Sequence, residues 1–114
     1  MYYRTMQTLT HSSVLARVGY GLSDPTRAQV LLALRDAAAY PSDLADLIGV
    51  SRQSLSNHLA CLRGCGLVVA VPEGRRVRYE LADPRLGQAL THLLGVVLAA
   101  DPECCADSAG TGCC

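Results

Sequence analysis

The chain has 114 residues, and its ten arginines balance ten acidic residues to give a formal net charge of zero. This length predicts one domain with a modest core, and the balanced charge argues against a general polycation. The longest apolar stretch, residues 86–100, contains Gln88, Thr91 and His92 and is too short to span a bilayer. Because the first residues also lack the apolar segment of a signal peptide, we expect a soluble, cytoplasmic protein.

Charge is distributed unevenly along the chain. Three acids, Asp101, Glu103 and Asp107, follow residue 100, so residues 1–100 carry ten arginines against seven acids, a charge of about +3. A mildly basic body agrees with binding to nucleic acid, although an ordinary solvated surface has a similar composition.

The N-terminal part of the chain predicts two helices. Residues 1–11 show no pattern and are expected to form a flexible arm, and Ser12 or Ser13 is the predicted N-cap of a first helix. A second helix, capped by Ser23 or Asp24, starts with a proline. Three of its apolar residues should face the core: Val30, Leu31 and Leu34.

A helix-turn-helix is predicted in the middle of the chain. Tyr40 and Pro41 break the helical pattern, Ser42 is the predicted cap of a short helix, and Gly49 ends it. A second helix begins at Ser51, after a short turn that contains this glycine. Two helices joined in this way, with polar residues on the outside of the second, are typical of DNA-binding motifs.

The second helix of this motif, residues 51–67, carries three strips of side chains. At about 100° per residue, one strip that must face a core consists of Leu55, Leu59 and Leu62. Gln53 and Asn57 begin an outward strip and suit a major groove, because both side chains can pair bidentately with adenine. A third strip beside the leucines consists of His58, Cys61 and Cys65.

Six cysteines in a small cytoplasmic protein indicate metal or redox chemistry rather than a disulfide framework. Cys61 and Cys65, four residues apart on a helix, point to the same side and are within reach of one large ion. Their thiolates would select a soft metal over calcium or magnesium. Free cysteines also occur as small buried apolar residues, and that alternative stays open here.

After Gly66 the apolar period changes from helical to alternating. Residues 67–74 and 75–82 predict two short strands joined around Pro72–Gly74. Three arginines cluster at the tip and on the second strand: Arg75, Arg76 and Arg78. A basic hairpin after a DNA-reading helix is typical of a wing, and the alternative is an ordinary solvated hairpin.

Asp83 and Pro84 open a last helix. Its apolar residues are Leu86, Leu90, Leu93, Leu94, Val96, Val97 and Leu98. They form a broader face than a small monomer would bury, so a partner subunit is predicted to cover it. The sequence thus predicts a mainly α fold with a β-hairpin wing, a homodimeric winged helix-turn-helix. It divides into an arm (1–11), a DNA-binding and dimerisation domain (12–100) and a cysteine-rich tail (101–114).

Three segments carry a resemblance to a known family: residues 22–34, 43–68 and 73–81. Together with the cysteine spacing, they resemble the ArsR/SmtB family of winged-helix metalloregulatory repressors. Within that family, residues 59–68 are similar to the CmtR-type cadmium/lead sensors. The resemblance implies a homodimer built from the first and last helices, which binds operator DNA and leaves it when metal binds, derepressing metal efflux or resistance genes.

The same resemblance implies a metal site made of cysteines. Cys61 and Cys65 match the pair on the recognition helix, and Cys104 is the favoured tail ligand, with Cys105 as a substitute third or fourth ligand. Two cysteines have no counterpart in that pattern: Cys113 and Cys114. Cd(II) or Pb(II) is the expected inducer, while As(III) and Hg(II) stay open because three thiolates suit them as well.

Two other metal sites of the family are not matched. The Cys-Val-Cys sequence of the arsenic-type site is absent from the helix at residues 42–48. The zinc, cobalt and nickel type of site needs spaced Asp and His pairs on the last helix, where this chain has Asp83 and His92 alone. A sensor of that second type is therefore disfavoured.

Candidate DNA contacts are assigned from side-chain type and position. The predicted base-reading residues are Gln53, Ser54, Ser56 and Asn57. The predicted phosphate or minor-groove contacts are Arg52, Arg75, Arg76 and Arg78. His58 is assigned a structural or DNA-backbone role rather than that of a metal ligand.

Two rival functions compete with metal-dependent repression. In a thiol-redox repressor, Cys61 or Cys65 would form a disulfide with the tail, and oxidant without metal would release DNA. An enzyme is not expected, because the chain has no Cys-x-x-Cys in a βαβ context and no Ser/His/Asp or carboxylate arrangement typical of catalysis.

Overall fold

Secondary structure runs through residues 2–99, the part of the chain that the computed structural model describes, with side chains described from residue 10. Along this stretch the elements are α1 (Tyr2–Leu22), α2 (Pro25–Asp36), α3 (Pro41–Ile48), α4 (Arg52–Gly64), β1 (Val68–Glu73), β2 (Arg76–Leu81) and α5 (Pro84–Ala99). The strands form an antiparallel hairpin, and α3 and α4 form the predicted helix-turn-helix. The mainly α fold with a β-hairpin wing is therefore confirmed.

α1 starts earlier than the sequence predicted. Its backbone is helical from Tyr2, so the predicted start after an N-cap at Ser12 or Ser13 is wrong, and residues 2–11 are helical where an arm was expected. Residues 2–18 contain neither proline nor glycine. No residue in that stretch therefore interrupts helix propagation.

The end of α1 packs closely on the body of the protein. Gly21 is buried, and a Cβ atom at this position would lie 2.5 Å from Leu67 Cδ1, so a larger residue would force Leu67 to move. The Arg27 guanidinium donates to the carbonyl oxygens of Tyr20 at 2.9 Å and Gly21 at 3.1 Å. These contacts join α1 to α2 and to the segment that follows α4.

α2 begins as predicted. Asp24 is its N-cap, because Asp24 Oδ2 accepts a hydrogen bond from the backbone N–H of Arg27 at 3.1 Å. Pro25 follows in the first turn, where its missing N–H group costs no helical hydrogen bond. The predicted inward residues are buried: Val30, Leu31 and Leu34.

One apolar core joins α2, α3, α4, the base of the hairpin and α5. It consists of Val30, Leu31, Leu34, Leu44, Ala45, Leu55, Leu59, Leu62, Leu67, Val68 and Leu90. The three leucines on the inner strip of α4 are at most 2% exposed. Because burying one leucine side chain contributes about 1.5–3 kcal/mol, this strip fixes α4 against the body and turns its opposite side outward.

α3 begins at Pro41 rather than after a cap at Ser42. Tyr40 occupies the N-cap position and makes no side-chain capping bond. The predicted cap is therefore wrong, because the fixed φ angle of proline suits the first helical position and starts the helix earlier. Gly49 follows the last helical residue with a φ angle of 84°, and this left-handed conformation ends α3 where the sequence predicted.

A side-chain cap starts α4. Ser51 Oγ accepts a hydrogen bond from the backbone N–H of Ser54 at 3.0 Å, as the sequence predicted. On the other side of the turn, the backbone N–H groups of Gly49 and Val50 donate to Ala45 O at 2.8 and 3.2 Å. Hydrogen bonds therefore hold both ends of the turn between α3 and α4.

We expect Ser51→Ala to lower the free energy of unfolding by about 1 kcal/mol, because the substitution leaves an N–H group of the first turn without its acceptor. Urea unfolding followed by circular dichroism measures this change. Ser56→Ala removes an exposed hydroxyl from the interior of the same helix and serves as the control, with an expected change below about 0.5 kcal/mol. Equal losses in the two variants would contradict the capping role.

The hairpin closes with Glu73 opposite Arg76. Its two-residue turn starts at Gly74, whose φ angle of 61° is the positive value required at the first central position of the tight turns that suit hairpins. The turn therefore lies slightly later than the predicted centre at Pro72–Gly74, and Pro72 belongs to β1. A proline is tolerated there because β1 is an edge strand.

The wing is attached to the body on its β2 side. The backbone N–H of Ala39 donates to Tyr79 O at 3.0 Å, and the N–H of Tyr79 donates to Ala39 O at 2.8 Å. At the base of the hairpin, the N–H of Ala82 donates to Leu67 O at 2.9 Å. β2 is therefore bonded on both edges, which fixes the orientation of the wing.

α5 is covered mainly along its first half. Asp83 Oδ1 accepts a hydrogen bond from the backbone N–H of Arg85 at 2.9 Å, and Gly87 and Leu90 are buried. The exposed large apolar residues of α5 are Leu93, Val96, Val97 and Leu98. Those described on α1 are Val14, Leu15 and Tyr20. Within residues 2–99, no helix is long and apolar enough to cross a membrane.

Candidate DNA-binding face and cysteine site

The outward side of α4 presents a row of polar side chains. Arg52, Gln53, Ser56 and Asn57 are exposed, and Gln53 Nε2 donates to Asn57 Oδ1 at 3.2 Å. This bond aligns two amides on successive turns, and it leaves a nitrogen donor and an oxygen acceptor without partners in the described part of the chain. A paired donor and acceptor is the pattern that reads an adenine edge in a major groove.

Two predicted contact residues on α4 are less exposed. Ser54 is partly buried at the start of the helix, and His58 is partly buried with its Nδ1 3.8 Å from Asp24 Oδ2. The hydrogen bond from the backbone N–H of Arg27 lowers the pKa of Asp24, and the proximity of His58 lowers it further. His58 thus faces the ionised N-cap of α2, which agrees with the structural role among its predicted alternatives.

The two helix cysteines lie together at the C-terminal end of α4. Cys61 is in the last turn, and Cys65 is the C-cap, one residue after the helix ends at Gly64. The sequence placed Cys65 within the helix, and that placement is wrong by one residue. The effect is small, because Cys65 keeps right-handed helical angles (φ −79°, ψ −6°) and its backbone N–H donates to Cys61 O at 3.0 Å.

Both side chains are partly buried free thiols. Burial raises the pKa of the Cys65 thiol, and the charge of Cys61 and a side-chain hydrogen bond with it raise this pKa further. The guanidinium groups of Arg27 and Arg17 act in the opposite direction. The Cys65 thiol therefore carries its proton at neutral pH, and any metal ion that binds there must displace that proton.

The described residues supply two thiols and no complete metal site. Within the part of the chain with described side chains, no three His, Cys, Asp or Glu residues converge as a metal-binding group. The predicted tail ligands Cys104 and Cys105 lie outside the described residues, as do Cys113 and Cys114. Directly before α5, Asp83 forms an ion pair with Arg85 at 2.7 Å.

The three predicted wing arginines have different surroundings. Arg75 lies in the turn and is exposed. The Arg76 guanidinium lies over the Tyr40 ring, 3.6 Å from its centroid. Arg78 donates to Glu73 Oε1 at 2.9 Å, so its charge is already paired within the protein.

Sequence reasoning missed the part played by Tyr40 and Glu73. Tyr40 was interpreted only as a break before α3, and Glu73 as part of a turn. Their side chains meet because Tyr40 Oη donates to Glu73 Oε2 at 2.8 Å. This contact depends on the pairing of Ala39 with Tyr79. The sequence pattern contains no signal for that pairing.

Comparison with known proteins places this arrangement in a family. The family described as "Bacterial regulatory protein, arsR family" matches residues 24–69. The HTH-type transcriptional regulator CmtR of Mycobacterium tuberculosis is 55% identical over 102 residues, which cover 88% of this chain and 86% of that protein. This chain belongs to the arsR family. Another relative, the probable mercury resistance operon repressor of Streptomyces lividans, is 34% identical over 107 residues, covering 90% of this chain and 84% of that protein.

Solved structures agree with the arsR-family fold. The NMR structure of the cadmium metal-sensor CMTR from Mycobacterium tuberculosis has a TM-score of 0.63 and 58% identity, covering 75% of this chain and 90% of that chain. A homodimeric winged helix-turn-helix DNA-binding domain from Mycobacterium bovis has a TM-score of 0.74 and 27% identity, covering 79% and 83%. As an arsR-family protein, the chain is a DNA-binding transcriptional regulator and not an enzyme, which confirms both predictions.

Proposed function

We propose that this arsR-family regulator binds operator DNA as a homodimer and leaves the DNA when a soft metal ion binds Cys61, Cys65 and Cys104. Cys105 is the substitute third or fourth ligand. One observation carries the proposal: two adjacent thiols lie at the end of the helix whose other end bears the DNA-reading residues. A ligand held by these thiols therefore acts directly on the reading element, and the genes released would serve metal efflux or resistance.

The thiol pair suits a soft cation. Sulfur donors select soft over hard metal ions, and a cation bound at this site would supply the positive charge that holds several thiolates close together. Cd(II) is favoured, because a relative 58% identical is described as a cadmium metal-sensor. Pb(II) and As(III) suit three thiolates as well, and Hg(II) is the second candidate, because another relative is a probable mercury resistance operon repressor.

The position of Cys65 suggests how the site acts on DNA binding. Two residues later, Leu67 donates its backbone N–H to Leu62 O at 3.0 Å and accepts from the N–H of Ala82 at 2.9 Å. Leu67 therefore ties the end of α4 to the base of the wing. Movement of Cys65 toward a tail cysteine would change the position of α4 relative to the wing. A coupling of about 1–3 kcal/mol between the two sites gives a 5- to 150-fold change in DNA affinity.

The homodimer is proposed to form through α1 and α5. Both helices carry exposed large apolar residues, among them Leu15, Val96 and Leu98. Large apolar side chains that are exposed in groups mark interaction sites. The related domain from Mycobacterium bovis is described as homodimeric. Pairing across these helices would place two copies of α4 on successive half-sites of operator DNA in the cytoplasm.

Binding of operator DNA under anaerobic, reducing conditions tests the proposal. A duplex selected by the full-length protein from a randomised pool is labelled, and its fluorescence anisotropy is followed as Cd(II), Pb(II), Hg(II), As(III) or Zn(II) is added. We expect release by one or two of the soft ions and retention with Zn(II). Retention with every ion, combined with release by a thiol oxidant such as diamide, would replace metal sensing by thiol-redox repression.

We expect the affinity for Cd(II) to fall as the solution is acidified from about pH 8 to about pH 6. The raised pKa of Cys65 keeps this thiol protonated, so metal binding releases protons and is opposed by a higher proton concentration. Competition with a chromophoric chelator, corrected for the protonation of the chelator itself, measures the affinity at each pH. An affinity that does not depend on pH would show that the thiols are not the ligands.

A further inference from the structure

We propose that Tyr40 is a positioning residue for the DNA-contacting wing. In this proposal Tyr40 holds Arg76 in place for a backbone phosphate, whereas Arg78 braces the wing internally and does not contact DNA. The inference rests on the proposed DNA-binding role of the wing and divides that role among the arginines.

Strand pairing places Tyr40 on the basic face of the wing. Ala39 pairs with Tyr79 across an antiparallel bridge, so the next residue, Tyr40, lies beside Arg78. Successive side chains of a strand point to opposite faces, and Arg76 and Arg78 therefore share one face of β2. Tyr40 thus reaches both arginines from the adjacent backbone segment.

Glu73 links these side chains into one cluster. It lies opposite Arg76 on the neighbouring strand and accepts hydrogen bonds from Tyr40 Oη at 2.8 Å and from Arg78 Nη1 at 2.9 Å. The bond to Glu73 raises the pKa of Tyr40, so the hydroxyl remains a donor at neutral pH. Arg78 Nη2 is also 3.8 Å from Glu80 Oε2, so carboxylates lie on both sides of Arg78.

Arg76 is held by its contact with an aromatic ring and not by an ion pair. Its guanidinium stacks 3.6 Å from the centroid of the Tyr40 ring, and among the described side chains none forms an ion pair or hydrogen bond with it. Stacking covers a face of the planar group and leaves its N–H edge available. That edge has the geometry for two parallel hydrogen bonds to phosphate.

Restricting the Arg76 side chain before DNA arrives lowers the entropy lost on binding. Immobilising a flexible side chain costs about 0.5–1.5 kcal/mol, which corresponds to a two- to tenfold change in affinity. Tyr40 therefore contributes to DNA binding through Arg76, because its ring lies under the Arg76 guanidinium and its hydroxyl is bonded to Glu73.

The salt dependence of DNA binding separates Arg76 from Arg78. The full-length protein is titrated onto a 30-base-pair duplex of random sequence at several salt concentrations, because phosphate contacts are independent of sequence. We expect Arg76→Gln to reduce the slope of log K against log salt by about one for each wing on the duplex. The charge-neutral double variant Glu73→Gln/Arg78→Gln should leave the slope unchanged. Arg85→Gln removes one arginine outside the hairpin. It is the control for the effect of losing one positive charge anywhere on the protein.

A double-mutant cycle tests the role of Tyr40. Tyr40→Leu should weaken DNA binding two- to tenfold in the wild-type background. In the Arg76→Gln background the same change should weaken binding by less than about twofold, because the guanidinium that Tyr40 positions is absent. Tyr40→Phe keeps the ring under Arg76 and should bind within about twofold of wild type. Thermal unfolding of each variant checks that the fold is retained.

Three results would overturn the inference. They are an unchanged slope for Arg76→Gln, a reduced slope for the Glu73→Gln/Arg78→Gln variant, and an equal effect of Tyr40→Leu in both backgrounds. If wild-type protein fails to bind any duplex, the proposed function itself fails. If wild type binds and one of the three results is found, only the assignment of Tyr40 and Arg76 fails.

Discussion

Cys61→Ser should abolish metal-induced release of operator DNA and leave metal-free binding within about twofold of wild type. A hydroxyl has nearly the shape of a thiol but is a poor ligand for a soft ion. Cys61 lies in the last turn of α4, one turn beyond Asn57, and it takes no part in the Gln53–Asn57 hydrogen bond, so the proposed DNA-reading face keeps its geometry. Cys61→Ser should therefore remove the entire coupling between metal binding and DNA binding, which is a change on the order of a hundredfold in DNA affinity at saturating metal.

Anisotropy with the selected duplex measures this loss, and ultraviolet absorption from thiolate-to-metal charge transfer reports binding independently of DNA. Cys65→Ser should behave like Cys61→Ser, and comparison of Cys104→Ser with Cys105→Ser identifies the tail ligand. The matched control is the double variant Cys113→Ser/Cys114→Ser, which should respond like wild type. A Cys61→Ser protein that still releases DNA with Cd(II) would show that the sensing site lies elsewhere.

Val97→Asp should convert the dimer to a monomer and weaken operator binding by about a hundredfold or more, because two linked half-site contacts become independent. Val97 is 57% exposed in the single chain, so an aspartate there is solvated and leaves the fold intact. In the proposed dimer the same side chain is buried against a partner, where an unpaired charge is costly.

Sedimentation equilibrium of Val97→Asp gives the oligomeric state directly. Leu47→Asp is the control for this measurement, because Leu47 is also an exposed apolar residue, 73% exposed, but lies on α3. It should remain a dimer. A dimeric Val97→Asp protein would exclude this part of α5 from the subunit interface.

Local sequence chemistry accounts for much of the framework. A proline after Asp24 marks the start of α2, Ser51 marks the start of α4, and Gly49 marks the end of α3. Each of these signals acts within one helical turn, so a single stretch of sequence is enough to place it. The predicted start of α1 is wrong because residues 2–18 contain no comparable signal, and Ser12 and Ser13 lie inside the helix instead of capping it.

The candidate site was predicted in part. Spacing alone placed Gln53 and Asn57 on the outer side of α4 and Cys61 and Cys65 on a shared side, since both relations depend on helical period. Spacing did not show that Cys65 follows the end of the helix. Nor did it show that His58 faces Asp24, because that contact depends on how α4 packs against α2.

The sequence by itself therefore determined the order of the elements, the buried strip of α4 and the side chains available for DNA and metal. Each of these follows from residues within about two helical turns of one another. The tertiary structure alone decided which of the two β2 arginines, Arg76 and Arg78, is left without an ion pair among the described side chains. Tyr40 and Glu73 are 33 residues apart, and the backbone bridge at Ala39 is what brings Tyr40 to Arg76 and leaves Arg78 paired with Glu73.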